Sequence, residues 1–475
     1  MKIKELQKES PVGFGTSGVR GLVVDMTDYV CYHYVAAFLQ YIGAKAGDKV
    51  VVAGDLREST ERIMKSSAKA ATDMGVTVIN GGRVPSPAIA NYGISHKLPT
   101  IMVTGSHIPS DRNGIKFTLP SGEISKEDES GILAQDVTVS EDLFDAGGYF
   151  KADFELPKEN SNVKNSYIER YLTVFPQDFL RGFNLAVYSH SSVGRDILID
   201  LYQKLGAKVT EIARSEEFIP VDTEAIREED IELARELKYK YDAILSADGD
   251  CDRPLIATES GEWLRGDILG ILTAKYLNAS GVATPVSCNT ALEKSNWFTD
   301  IIRTPIGSPY VIAGMDSLVN KSVKAVVGYE ANGGFFTKTP ITLFGNILPP
   351  LPTRDPVICH LAVLGTAKML KLILSELSYL LPKRATHSDR LKSVPKEFIS
   401  AFLNMLTTAE QNLIECDDIQ SVDLTDGVRF TLKNEDIVHL RGSGNAPELR
   451  CYAESDCAEK AKNLVIKTLS KVNFS

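Results

Sequence analysis

One unit recurs along this chain: a short apolar run, a polar loop, a helical pattern, a glycine turn and a second apolar run. The first copy begins at Lys49-Val-Val-Val-Ala53, passes Gly54-Asp-Leu-Arg-Glu-Ser-Thr60 into a helical stretch, and returns at Gly75-Val-Thr-Val-Ile79. The second begins at Leu185-Ala-Val-Tyr188, with Ser189-His-Ser-Ser-Val-Gly194 as its loop and residues 195–205 as its helix, and returns at Gly206-Ala-Lys-Val-Thr210. A weaker third runs from Thr284-Pro-Val-Ser-Cys288 through residues 289–298 to Ile301-Ile302. Two parallel strands need a long crossover between them, and a helix supplies it, so the pattern is βαβ and predicts mainly parallel sheets. Three copies predict three related α/β domains. Ligands of such sheets sit beyond the carboxyl ends of the strands, where the three loops lie.

From about residue 382 the character changes. A helical stretch (397–405), an alternating run over 422–432 broken by the hairpin signal Asp426-Gly427, and a final helix after Asp456 predict a smaller α+β domain. The expected division is 1–152, 153–259, 260–381 and 382–475, with linkers near 152–160, 259–261 and 381–384. The most apolar stretch, Leu361 to Leu377, is interrupted by Lys368, Lys371 and Glu376 and reads as an amphipathic helix. No window of about 18 uncharged apolar residues occurs, so no membrane span is expected. The first ten residues lack the apolar segment of a signal peptide. Lys and Arg total 52 against 62 Asp and Glu, a net charge of −10, which argues against nucleic acid as a partner. Seven scattered cysteines, with no Cys-x-x-Cys, suit reduced thiols in a cytoplasmic protein.

Three segments carry chemistry. In Val103-Thr-Gly-Ser106-His-Ile-Pro109 a β run ends in small polar residues, which presents Ser106 on a tight loop. Gly-x-Ser-x-Gly is not present, and the adjacency of His107 alone makes no triad. On this segment alone a solvated turn with a capping serine is the plainer reading. In Tyr241-Asp-Ala-Ile-Leu-Ser-Ala-Asp248-Gly-Asp250-Cys-Asp252-Arg253 an apolar strand runs into three aspartates spaced by two. Converging carboxylates repel unless a hard dication lies between them, and oxygen-only ligands favour Mg²⁺ or Mn²⁺. Cys251 should point away. Arg253 at the position an EF-hand reserves for glycine, with Pro254 after it, excludes that motif. A solvated acidic turn is the alternative. In His439-Leu-Arg441-Gly-Ser443-Gly-Asn445-Ala-Pro-Glu-Leu-Arg450 backbone N–H groups and two forked arginines fit an anion nest, and an ordinary loop fits as well. Gly328-Tyr-Glu330-Ala-Asn332-Gly-Gly334 offers polar groups suited to sugar hydroxyls. Gly13-Phe-Gly-Thr16-Ser17-Gly-Val-Arg20 is glycine-rich but is no Walker loop.

Taken in order over the whole chain, these motifs resemble the α-D-phosphohexomutase superfamily, the phosphoglucomutase/phosphomannomutase enzymes. The resemblance is strongest to the bacterial phosphomannomutase branch, through Gly105-Ser-His-Ile-Pro109, Phe218-Ile-Pro-Val-Asp-Thr-Glu224 and Leu351-Pro-Thr-Arg-Asp355. It implies three α/β domains and a fourth α+β domain around a central cleft. It implies that Ser106 is a phosphoserine that gives its phosphoryl group to a hexose monophosphate, making a hexose 1,6-bisphosphate that reorients and returns its other phosphoryl group. It implies Mg²⁺ held by Asp248, Asp250, Asp252 and the Ser106 phosphoryl. Lys116 is the implied general acid/base, with a pKa lowered by burial or positive charge. His107 and Arg253 are implied at the phosphoryl group, and Arg20 in an N-terminal strip brought to the active site. Thr304 and Gly307 belong to the resembling loop of the third domain, and Glu330 and Asn332 to the sugar grip. Arg441, Ser443, Asn445 and Arg450 would dock the non-reacting phosphate. The chain departs from the pattern at Gly334, where many members carry His, at Asn445, where Thr is common, and at Ala53-Gly-Asp55, where Gly-Arg-Asp is common.

The expected function is therefore interconversion of mannose 6-phosphate and mannose 1-phosphate, with hexose phosphates as partners and a hexose 1,6-bisphosphate as activator. A monomer or weak homodimer, without nucleic acid or membrane, is expected. A phosphoglucomutase or dual enzyme is the alternative, because nothing in Glu330 or Asn332 decides one epimer. A non-catalytic sugar-phosphate binder is the alternative of another class, and an aspartyl-nucleophile phosphatase a third.

Overall fold

The computed structural model describes residues 1–15, 18–407, 418–443 and 447–472, which fall into two compact units. The first comprises Met1–Asn278 and Asn332–Ser375, the second Ala279–Ala331 and Glu376–Ser475.

The first unit holds two large sheets and a two-stranded hairpin, Ile341–Leu343 with Asn346–Leu348. In one, Thr77–Arg83, Lys49–Gly54 and Thr100–Val103 run parallel, the first βαβ repeat being completed by the helix Thr60–Asp73. Arg112–Leu119 then joins Thr100–Val103 antiparallel, and Val19–Leu22 and Gly13–Phe14 extend that edge, so the sheet is mixed. Lys49–Gly54 is buried from Val50 onward, as β-branched residues packed on both faces of a sheet should be. The helix Asp28–Tyr41 lies against it. Phe38 stacks on Phe117 at 4.5 Å, a contact that adds about 1 kcal/mol to the area the two rings bury. In the other sheet the order is Pro254–Thr258, Ala243–Ala247, Asn184–His190, Lys208–Arg214. The second repeat is as expected: Asn184–His190 and Lys208–Arg214 are parallel and the helix Arg195–Lys204 joins them. Ala243–Ala247 and Pro254–Thr258 are antiparallel with Ala247 opposite Pro254, which makes residues 248–253 a hairpin turn.

The helix Pro356–Leu370 differs from the amphipathic reading. It starts earlier, every residue from Pro356 to Ala367 is buried, and the chain bends into a 3-10 segment at Leu374–Leu380. A helix apolar on all sides is a core helix, and the charges that suggested a polar face lie at its end and beyond. Among the described residues no single helix is long and apolar enough to cross a membrane.

In the second unit Asp300–Thr304, Gly281–Pro285 and Val326–Tyr329 run parallel, with the helix Ser308–Asn320 beside them. The third repeat is present but its helix is only Ala291–Lys294. The Ser295 hydroxyl donates to the Leu292 carbonyl and Asn296 takes φ +56°, which ends the helix locally. A five-stranded antiparallel sheet follows, in the order Ala385–Lys392, Glu448–Ser455, Ile437–Gly442, Val428–Leu432, Ile419–Asp423. Val428, Phe430 and Leu432 alternate inward and pack with Ile399 and Phe402 of Lys396–Leu406 and Val465 and Leu469 of Ala458–Ser470. This is the α+β arrangement that the period-two run over 422–432 predicts.

Candidate active site

Ser106 lies just beyond the carboxyl end of Thr100–Val103, fully buried, at φ +54°. A non-glycine residue in the left-handed region costs energy and persists only where its surroundings fix it. Arg57 does much of that fixing. It is 1% exposed and its Nη atoms donate to the carbonyls of Ser106 (2.9 Å), Ile108 (2.6 Å), Pro109 (2.7 Å) and Arg112 (3.0 Å). Its Nε donates to Asp55 at 3.2 Å, so every guanidinium N–H is used. A Cβ at residue 105 would lie 2.7 Å from Arg57 Cζ, which is why glycine precedes the serine. Thr104 bridges Asp55 to the loop: its hydroxyl donates to Asp55 at 2.7 Å and accepts the Ser106 N–H at 2.8 Å.

The three aspartates occupy the 248–253 hairpin turn, all buried. Their ligand oxygens lie within 4.8 Å of one another. Cys251 takes φ +55° and turns its sulfur against Gly194, where a Cβ would be 2.2 Å from it, so the thiol points away from the carboxylates as expected. Asp248 Oδ1 accepts the N–H groups of Asp252 (3.0 Å) and Arg253 (3.1 Å), and Oδ2 accepts the Ser106 hydroxyl at 2.7 Å. Asp250 Oδ2 accepts from Ser86 Oγ and Lys116 Nζ, both at 2.6 Å. Asp252 Oδ2 accepts Lys116 at 3.0 Å. Asp250 Oδ1 and Asp252 Oδ1 are buried without a hydrogen-bond partner among the described residues. Buried carboxylate oxygens are rarely left so, and an oxygen-only group of this kind suits a hard divalent cation.

Burial and the two neighbouring carboxylates push Asp248 well up, whereas for Asp250 Lys116 and Ser86 overcome burial and hold it down. Lys116 differs from the expectation. Burial lowers its pKa, but Asp250 and Asp252 outweigh burial and the net direction is up. Lys116 reaches these carboxylates because it sits opposite Met102 on the strand paired with Thr100–Val103. His107, whose Nδ1 is 3.3 Å from Ser106 Oγ, is pushed down to about 2 by Arg253, then burial, then Arg20. Beside the unphosphorylated serine these groups favour the neutral imidazole, which can orient the Ser106 hydroxyl. Arg20 is lowered to about 10 by burial and Arg253. The Nε atoms of Arg20 and Arg253 are buried with no hydrogen-bond partner among the described residues. Asn332, also in this unit, uses Oδ1 to accept the Gly334 N–H at 2.8 Å and its carbonyl to accept Thr223 Oγ1 at 2.8 Å.

The other candidates lie in the second unit. Thr304 ends a strand, Gly307 precedes the helix Ser308–Asn320 at φ +134°, and Glu330 is buried. Arg441 and Arg450 face each other in the register of Ile437–Gly442 with Glu448–Ser455. Like charges directly opposite are unfavourable, and Asp426 (3.1 Å from Arg441) and Glu448 (3.3 Å from Arg450) offset them. The Ser443 N–H donates to Glu448 O at 2.9 Å. Asn445, with Thr16 and Ser17, lies outside the described residues.

Sequence reasoning missed Asp55, Arg57, Ser86 and Arg354. A signal existed for the first two. They follow Lys49–Gly54 at the same carboxyl end of the sheet as Ser106, one and three residues past Gly54, where an arginine was counted absent. Ser86 carries no motif of its own. Arg354, buried, with Nη1 3.7 Å from Asp252, stood in a segment that had served only for resemblance.

Residues 11–141 match "Phosphoglucomutase/phosphomannomutase, alpha/beta/alpha domain I" and residues 265–384 match domain III of the same family. A phosphomannomutase of Salmonella muenchen is 42% identical over 474 residues, covering 98% of this chain and 96% of its own. A phosphomannomutase of Sinorhizobium fredii is 38% identical over 474 residues, covering 97% of this chain and 99% of its own. Among solved structures, a phosphoglucomutase/phosphomannomutase family protein of Burkholderia thailandensis superposes with a TM-score of 0.74 at 19% identity, over 96% of each chain, and so shares the fold.

Proposed function

The chain belongs to the phosphoglucomutase/phosphomannomutase family of phosphohexomutases, and on that premise we propose that it interconverts mannose 6-phosphate and mannose 1-phosphate through phosphorylated Ser106. The observation that carries this reading is the 2.7 Å hydrogen bond from the Ser106 hydroxyl to Asp248, which joins the strand-end loop to the carboxylate cluster. Mannose is preferred over glucose in this reading because the two relatives are phosphomannomutases. Glu330 and Asn332 do not choose between epimers.

In the forward half-reaction the phosphorus–oxygen bond to Ser106 breaks and a bond to a sugar hydroxyl forms, giving the 1,6-bisphosphate. The hydroxyl proton passes to a base, for which Lys116 is the candidate. After reorientation the second phosphoryl group returns to Ser106. Asp248, Asp250 and Asp252 would hold Mg²⁺, which supplies charge to the equatorial oxygens during transfer. A cation on these carboxylates would compete with the Lys116 ammonium, which donates to Asp250 and Asp252, and would so favour the neutral amine that a base requires. Arg20 and Arg253, whose buried Nε atoms have no hydrogen-bond partner among the described residues, would meet the phosphoryl oxygens, and His107 orients Ser106. Arg441, Ser443, Asn445 and Arg450 dock the non-reacting phosphate, the loop of Thr304 and Gly307 approaches the sugar, and Glu330 and Asn332 grip its hydroxyls. The same reading retains four domains (1–152, 153–259, 260–381, 382–475) and a cytoplasmic setting.

The direct test is to incubate the full chain with glucose 1,6-bisphosphate and Mg²⁺ and map the phosphorylated peptide by mass spectrometry. The reading expects phosphate on Ser106. Phosphate on an aspartate of the 248–253 turn, or none, contradicts it.

A further inference from the structure

We propose that Arg354 is a third arginine of the phosphoryl-holding site, acting with Arg20 and Arg253 on the group that Ser106 transfers. The inference rests on the reading of Ser106 given above.

Arg354 is 4% exposed and is set in place from both sides along the chain. The Thr353 hydroxyl donates to Glu123 at 2.8 Å. Asp355 caps the helix Pro356–Leu370 by accepting the Val357 N–H, and it also accepts the hydroxyls of Tyr167 (2.7 Å) and Tyr171. The Arg354 side chain then lies over Gly334: a Cβ at residue 334 would be 2.5 Å from Arg354 Cδ and 2.8 Å from Cγ. The guanidinium carbon is 5.8 Å from the Phe336 ring, and Nη1 is 3.7 Å from Asp252 Oδ2. So the residue that leaves room is a glycine, and the side chain that fills the room carries a charge to the aspartate turn.

Charge supplies the second line of argument. Four cations, Arg20, Lys116, Arg253 and Arg354, stand around three buried carboxylates. Arg20, Lys116 and Arg253 each sense Arg354 as a neighbouring positive charge. Gathering like charges where water is excluded is costly. A dication among the carboxylates increases the positive excess. A dianionic phosphoryl group offsets it, and the buried Nε atoms of Arg20 and Arg253, which have no hydrogen-bond partner among the described residues (Arg253 Nε lies 3.7 Å from Asp252 and 3.9 Å from Asp248), leave donors for such an anion. Arginine, with its planar fork, is suited to that task.

The test uses orthovanadate, a mimic of a transferring phosphoryl group, titrated into the full-length unphosphorylated chain with Mg²⁺ by calorimetry. We expect Arg354→Ala to weaken orthovanadate binding at least about tenfold, and Arg354→Lys, which keeps charge and length, to fall between it and the unaltered chain. Gly334→Ala pushes Arg354 aside without removing it and should weaken binding comparably. The double variant should be no weaker than Arg354→Ala alone, because the methyl group then has nothing to displace. Mn²⁺ binding, read by electron paramagnetic resonance, should stay within about threefold. Orthovanadate binding within about twofold of the unaltered chain in Arg354→Ala, multiplying losses in the double variant, or no orthovanadate binding at all would overturn the proposal. Arg354-dependent binding in a chain that turns over no hexose phosphate would sustain it while refuting the mutase reading.

Discussion

Ser106 and Asp248 are 142 residues apart in sequence, yet the serine hydroxyl donates to the aspartate Oδ2 at 2.7 Å. Two strand ends meet there. One ends in a loop that Arg57 holds by four carbonyls, the other in a hairpin turn whose first carboxylate is fixed by two backbone N–H groups. The pair is thus held by backbone geometry, the kind of preorganisation that an in-line transfer requires.

Arg57 should matter to both fold and turnover. Its guanidinium is buried and its partners are carbonyls and Asp55. Arg57→Lys keeps the charge but cannot reach four carbonyls, and should cost about 2–4 kcal/mol in stability and most of the activity. Differential scanning calorimetry and steady-state rates measure the two effects. An unchanged melting temperature would remove Arg57 from this role.

Metal removal should abolish turnover reversibly. Chelation followed by Mg²⁺ or Mn²⁺ should restore it. Asp250→Asn removes charge from a carboxylate whose Oδ1 has no hydrogen-bond partner among the described residues, and should weaken Mn²⁺ binding at least about tenfold. Paramagnetic titration of Mn²⁺ reads this without any assay of turnover.

Asp426 ties two loops of the second unit. Its Oδ2 accepts the Ile306 N–H at 2.9 Å and its Oδ1 accepts Arg441 Nε at 3.1 Å. Holding Nε orients the guanidinium fork. Asp426→Ala should therefore raise KM for mannose 1-phosphate by about tenfold while kcat stays within about threefold. A fall in kcat at constant KM would place Asp426 elsewhere in the reaction.

Acid should destabilise the first unit through His190. Burial lowers its pKa from 6.5 to about 4, against the opposing hydrogen bond to the Ala247 carbonyl. The unfolded chain then binds the proton first, so the stability due to neutral His190 is present above pH 6.5 and is lost as pH falls toward 4. Melting temperature should drop across that window, and His190→Asn, which tolerates the φ of +23° here, should flatten the drop. An identical slope in the variant would mean that other groups carry the acid response.

Features confined to short stretches of chain were legible in the sequence. The βαβ repeats, the aspartate turn, the outward-turned Cys251 and the Asp426-Gly427 hairpin each depend on spacing within a few residues. Contacts between remote segments were not. Arg57 meets the Ser106 loop from 49 residues away and Ser86 meets Asp250 from 164, and neither carries a local pattern. The Pro356–Leu370 helix was misread because two lysines and a glutamate at one end suggested a polar face, whereas burial along its first twelve residues is decided by what packs around it. The Lys116 pKa was expected to fall because a general acid/base role asks for it, and the two carboxylates that raise it come from another segment of the chain.

The central claim is phosphoryl transfer through Ser106 between the two phosphate positions of a hexose. The most direct measurement is kcat/KM for mannose 1-phosphate and glucose 1-phosphate, with Mg²⁺ and a trace of hexose 1,6-bisphosphate, in the unaltered chain and in Ser106→Ala. The account predicts turnover with mannose preferred, and a loss of at least about a thousandfold in Ser106→Ala with the fold intact. Full activity in Ser106→Ala, or no turnover of either sugar by a folded, metal-binding chain, would contradict it.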